Sequence, residues 1–188
     1  MNRRHFLRAS AASLGSAAAL AATPKLVLAD CTQRTAPNIE GPFYRAGAPF
    51  RRELASDGNL IVTGFVRDRH CQPIEGAVVE IWQANGDGDY DRGGDRFRGQ
   101  LRTGAQYGEF QIHTVRPGRY LNGPTYRPAH IHVKIHANGH APLTTQLYFP
   151  GDPYNDSDPW FRSDLLLLSA PSGCHPSPVA RMNFHFNL

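Results

Sequence analysis

The chain has 188 residues, with 20 Lys and Arg against 16 Asp and Glu and a formal net charge of +4. That length supports one well-buried domain and not comfortably two, and 18 Gly with 15 Pro among short apolar runs suit a turn-rich β domain rather than disorder. Four of the basic residues, Arg3, Arg4, Arg8 and Lys25, stand unopposed in residues 1–29; taking them from the 20 leaves 16 against 16, which argues against a nucleic-acid partner.

Residues 1–29 read as an export leader. Asn2-Arg3-Arg4-His5-Phe6-Leu7-Arg8 is a twin-arginine pattern, an Ala/Leu-rich run follows from Ala9 to Ala22, and Val27-Leu28-Ala29 offers a small-residue cleavage site. No later apolar run reaches membrane-spanning length. The expectation is export to the periplasm or beyond by the twin-arginine route, with residues 30–188 forming one domain and no membrane attachment after the leader is removed. Cys31, Cys71 and Cys174 then allow one disulfide and one spare thiol, with the pairing open.

Beyond the leader, residues 35–50 are Pro/Gly-rich without a clear period. Residues 60–66 alternate around a β-branched core and predict a strand; residues 77–83 predict a second, and the short polar link between them suggests a local antiparallel pair. Residues 84–99 form a Gly/Asp/Arg-dense loop that resembles a calcium loop only superficially, lacking the closing Glu. Short strands are expected near 100–103 and 109–115, then at 130–136 and 144–149, with a buried run at 165–168. Met182, Phe184, Phe186 and Leu188 alternate with polar residues, the cleanest half-buried strand of the chain. Seven or eight short strands imply an all-β fold, a β-sandwich or barrel.

Chemistry concentrates at Arg127-Pro128-Ala129-His130-Ile131-His132. Alternation on a strand puts His130 and His132 on one face, the way a strand offers a pair of metal ligands. By itself such a pair is more often hydrated or hydrogen-bonded. Tyr90 and Tyr120 lie in polar loops nearby in sequence, and a highly charged cation can hold a phenol as phenolate. Two phenolates and two imidazoles make a hard donor set suited to ferric iron and poorly matched to copper(I) or a cysteine-built zinc site.

Five motifs then make the sequence recognisable. They are Gly41-Pro42-Phe43-Tyr44; Gly76 to Asn85 with Gly88-Asp89-Tyr90; Arg116-Pro117-Gly118-Arg119-Tyr120; Arg127 to His132; and Thr145-Gln146-Leu147-Tyr148-Phe149 with Gly151-Asp152-Pro153. In this order they resemble the intradiol ring-cleaving dioxygenases, most closely the protocatechuate type, over about residues 36–188. The resemblance implies a β-sandwich with long loops forming the active site and one Fe(III) per chain, held by Tyr90, Tyr120, His130 and His132. Two phenolates and one hydroxide would neutralise that ion, as a low-dielectric pocket requires. The implied substrates are a catechol-type aromatic and O2, with cleavage between the two hydroxyl-bearing carbons to a muconate-type diacid. Tyr120 would act as a base, Arg127 would stabilise negative charge on the ring, and Gln146 would sit near the oxygen side. Gly41, Pro42 and Tyr44 would line the substrate entrance.

Only a short segment separates the leader from the first motif, which sets the chain apart from branches with a long helical N-terminal region. A homo-oligomer and a second related subunit sharing the pocket both stay open. Two other classes compete: a non-catalytic transthyretin-like sandwich binding aromatics or a cell-envelope partner, and a metal-dependent hydrolase using His130 and His132. The first needs neither tyrosine, and the second usually wants a carboxylate or a third histidine.

Overall fold

The computed structural model describes residues 31–170 and 179–188. In chain order the strands are β1 (Leu60–Arg67), β2 (Val78–Gln83), β3 (Arg98–Arg102), β4 (Glu109–Thr114), β5 (Tyr120–Asn122), β6 (Thr125–Arg127), β7 (His130–His136), β8 (Leu143–Tyr148), β9 (Leu168–Ser169) and β10 (Ala180–Asn187). Two single 3-10 turns, Asn155–Ser157 and Ser163–Leu165, interrupt the segment before β9. One four-stranded sheet runs β4-β1-β10-β9, a second runs β3-β2-β7-β8, and β5 and β6 form a separate hairpin.

The all-β expectation is met, with ten strands among the described residues rather than seven or eight. One pairing is corrected. β1 and β2 do not pair: β1 lies between β4 and a parallel β10, and β2 lies in the other sheet between β3 and β7. The polar link between them crosses from sheet to sheet. Both strands carry a run of buried residues, a pattern that every central sandwich strand shares, so it cannot name the partner. The run at 165–168 also divides, since Leu165 and Leu167 are buried and Leu168 is exposed.

The core lies between the sheets. From one side come Val62, Ile112, Phe184 and Phe186; from the other come Val79, Ile81, Ile131, Val133, Ile135 and Leu147. Alternation then sends the intervening residues of β2, β7 and β8 to the outer face. Register builds two rows across that face: Trp82, His132 and Gln146 in one, His130 and Tyr148 in the other. This outer face is buried too, because the chain folds over it. Residues 38–39 bond to it through Asn38 N–H to the Thr144 carbonyl and the Gln146 amide to the Ile39 carbonyl.

A disulfide joins Cys31 to Cys71. The expected leader, residues 1–29, and Cys174 lie outside the described residues, and among the described ones no helix is long and apolar enough to cross a membrane.

Candidate metal centre

His130 and His132 begin β7 on its outer face, and their Nε2 atoms are 3.2 Å apart. Tyr90 Oη lies 3.1 Å from His132 Nε2 and 3.5 Å from His130 Nε2. Donors about 2.1 Å from one shared ion stand roughly 3.0–3.4 Å apart at right-angled to tetrahedral openings, so the three atoms are spaced to hold a cation. His130 Nδ1–H donates to the Pro128 carbonyl at 2.7 Å, which leaves its Nε2 as a bare lone pair. Burial, then the Arg127 charge, pushes His130 down to about 3. Burial, then His130 and Arg127, holds His132 well below the ordinary histidine value. Both imidazoles are therefore neutral, and their Nε2 atoms face one point together with Tyr90 Oη, an arrangement that a positive ion would satisfy.

The second tyrosine arrives on the hairpin. Tyr120 is the first residue of β5 rather than a loop residue, and it pairs with Arg127 at the end of β6. Its ring lies 5.6 Å from that of Tyr90 and 5.7 Å from that of His130. Backbone contact sets this approach. Gly88, at φ +96°, sits so near the Arg119 carbonyl that a Cβ there would fall 2.1 Å from it, and Gly118 N–H donates to the Asn85 carbonyl at 2.7 Å. Only glycine accepts both that φ and that proximity. The Asn85 side chain accepts the N–H groups of Asp87 and Asp89, so the calcium-like stretch is a self-bonded turn carrying Tyr90 into place. Burial, then Tyr120, raises the Tyr90 phenol above its ordinary value; its phenolate form calls for a strong positive charge beside it.

Arg127 is fully enclosed. Asp158 grips it at two points, Oδ1 to Nε at 3.2 Å and Oδ2 to Nη2 at 2.8 Å, with Gln146 Oε1 at 2.9 Å and Tyr148 Oη at 3.4 Å from Nη2. Its Nη1 points to Tyr120 Oη at 3.4 Å, and Trp160 stacks over the guanidinium at 4.6 Å. Burial alone would lower its basicity, but hydrogen bonds to Asp158 and Tyr120 outweigh that and hold the group charged.

Gln146 spends its carbonyl on Arg127 and Tyr148 and one amide N–H on Ile39, so one N–H remains for a ligand. Gly41, at φ +73°, backs the Cε1 edge of His132, where a Cβ would stand 3.3 Å away. Pro42 lines a cleft of about 430 Å³ with Phe43, Arg45, Asp91 and Arg92. None of the four donors lines that cleft; Phe43 is the shared wall, stacked on Tyr90 at 4.0 Å and edge-on to Tyr120. Tyr44 faces elsewhere, bonding to Glu80 and packing on Trp82.

Asp158, Tyr148, Trp160 and Phe43 carry no signal in the sequence that marks them singly. Tyr148 and Phe43 stand inside the motifs given above, and alternation from Gln146 along the same strand could have found the first. Asp158 and Trp160 come from an irregular loop with no period to read. Among the described residues no three His, Cys, Asp or Glu side chains converge; the oxygen beside the histidine pair is that of Tyr90.

A sequence model of the family described as Dioxygenase matches residues 39–188. The chain belongs to this dioxygenase family. Relatives include chlorocatechol 1,2-dioxygenase of Rhodococcus opacus, 37% identical over 71% of this chain and 64% of that protein. Catechol 1,2-dioxygenase of Acinetobacter baylyi is also 37% identical, over 71% and 51%. The chain thus spans less than two thirds of these curated relatives. A solved dioxygenase domain, from a dioxygenase carbohydrate-binding protein fusion of Streptomyces sp. SirexAA-E, superposes with a TM-score of 0.74 at 38% identity, covering 83% of this chain and 98% of that one. The 3-chlorocatechol 1,2-dioxygenase of Rhodococcus opacus 1CP follows at TM-score 0.73 and 27% identity, covering 81% and 72%. The two curated relatives are a chlorocatechol and a catechol 1,2-dioxygenase.

Proposed function

We propose that the chain is an Fe(III)-dependent intradiol dioxygenase that opens a catechol-type ring between its two hydroxyl-bearing carbons with O2. The observation that carries this is the meeting of two neutral imidazoles and Tyr90 at hydrogen-bond spacing, with Tyr120 and Arg127 alongside, in a member of the dioxygenase family. Ferric iron bound by Tyr90, Tyr120, His130 and His132 would supply the Lewis acidity that holds both catechol oxygens deprotonated and makes the ring reactive towards O2.

Within that reading each residue has a task. Tyr120, one of the residues that would hold the ion, presents the Oη that would take one catechol proton as a general base, and the hydroxide that balances the ion's charge would take the other. Arg127 Nη1 lies beside that oxygen and stabilises negative charge on the ring. Asp158, Gln146 and Tyr148 fix the guanidinium so that it need not reorganise during reaction. Phe43 covers both tyrosine rings and limits water there. The binding-module alternative gives these converging donors no task, and among the described residues no carboxylate or third histidine joins His130 and His132 as the hydrolase alternative would want.

Export by the twin-arginine route belongs to the same proposal. It is supported by the leader pattern and by the Cys31–Cys71 disulfide, a bond suited to an oxidising compartment. The branch and the ring substituents follow from no single residue, and assays with catechol, protocatechuate and hydroxyquinol would rank them. The visible spectrum of the iron-loaded protein tests the ligand set. Tyrosinate-to-iron charge transfer should colour it red to burgundy, and a colourless protein with stoichiometric iron would overturn the assignment.

A further inference from the structure

The two histidines are held in different ways. His130 has the usual arrangement of a metal-binding imidazole, its second ring nitrogen tied to a backbone carbonyl. His132 Nδ1 is buried and has no hydrogen-bond partner. Its ring instead lies flat against Trp82, with centroids 4.8 Å apart and planes 9° from parallel. Trp82 Nε1 is likewise buried without a partner, so packing alone holds the stack. Behind it Tyr44 presses on the indole at 4.9 Å. Tyr44 is itself fixed by its hydrogen bond to Glu80 and by Lys134 Nζ 4.1 Å over its ring.

We propose that Trp82 is a positioning residue, setting the ring plane of His132 by stacking where His130 uses a hydrogen bond. This role rests on the metal reading above. An imidazole without an Nδ1 acceptor is free to turn about its χ2 torsion, which would swing Nε2 away from Nε2 of His130. A broad flat neighbour on one face, with Gly41 at the Cε1 edge, removes that freedom. A π surface does more than an aliphatic one here. Metal binding at Nε2 draws positive charge into the imidazole, and the electron-rich indole face attracts it.

The test compares Trp82→Phe, which keeps a π face, with Trp82→Leu, which does not. Val79→Ala serves as control, since Val79 lies on the same strand, faces the core and is fully buried. In metal-free protein, NMR of the His132 ring protons should show one ring-current-shifted set in wild type and Trp82→Phe. Trp82→Leu should lose that shift and broaden. With Fe(III), Trp82→Leu should release metal to a chelator about 10–100-fold more readily, the usual scale for groups that orient ligands, and its charge-transfer band should move. Val79→Ala should lose stability yet keep both signatures. The proposal fails if folded Trp82→Leu retains wild-type ring signals and affinity, or if Val79→Ala loses metal equally. Wild type that binds no Fe(III) would remove the metal reading, while the ring signals alone still decide the role of Trp82.

Discussion

Asp158→Asn isolates the least expected feature of the site, a buried ion pair that the strand pattern does not reveal. The Arg127 and Asp158 side chains are 4% and 0% exposed, so neither charge has water to fall back on. Removing one partner of such a pair costs about 3–5 kcal/mol. The lower end applies, because asparagine keeps the shape and one acceptor, and Gln146 and Tyr148 still reach Nη2. At 2–4 °C per kcal/mol for a domain of this size, the midpoint of thermal unfolding should fall by roughly 6–12 °C. Urea unfolding should give a lower midpoint at unchanged slope. Joint replacement by Arg127→Met and Asp158→Leu should recover most of the stability, since apolar groups of similar volume often match a buried pair, yet abolish turnover. Stability of Asp158→Asn within about 0.5 kcal/mol of wild type, the range of an ordinary surface change, would refute this reasoning.

Three further outcomes are expected. Tyr120→Phe should keep iron through the other three ligands but lower turnover by about 10²–10⁴-fold, the usual worth of a general base; full turnover in a steady-state assay would show that Tyr120 is not that base. In metal-free protein, His130 titrates near 3 when folded against 6.5 when unfolded, and His132 is displaced the same way. The folded state thus binds fewer protons in that window, so stability is fully present above 6.5 and is lost as pH falls, by up to about 1.4 kcal/mol per pH unit for each histidine. Urea midpoints that agree between about pH 7.5 and pH 5 would contradict buried neutral imidazoles. Finally, the Cys31–Cys71 bond closes a separation of 40 residues, so Cys71→Ser should cost about 3–4 kcal/mol, read as a drop in the thermal midpoint that reductant reproduces in wild type.

Alternation was the most legible signal. It located β1, β2, β7, β8 and β10 within a residue or two and put His130 and His132 on one face, because period 2 is local and needs no partner strand. Pairing was not legible. Nothing in residues 60–66 announces that their neighbour is β10 and not the strand that follows. Of the site, the motifs named Tyr90, Tyr120, Arg127, His130 and His132, which lie side by side, but not the groups that support them, and Tyr44 turns away from them. Asp158 and Trp160 act through a loop whose course is set by tertiary contacts, and the orientation of Tyr44 depends on which side of Trp82 the chain passes. Such facts belong to packing, which a one-dimensional pattern does not encode.

The β1–β10 pairing has a consequence for the order of assembly. Leu60 meets Ala180, so this parallel contact joins positions 120 residues apart, and closing so long a loop is slow. The sheet bearing the histidines is finished by Tyr148 and can pair while the last strand is still unmade. A chain emerging from the ribosome could therefore form its donor face first and lock the opposite wall last. A truncation that removes β10 would leave His130 and His132 on a sheet with half its core uncovered.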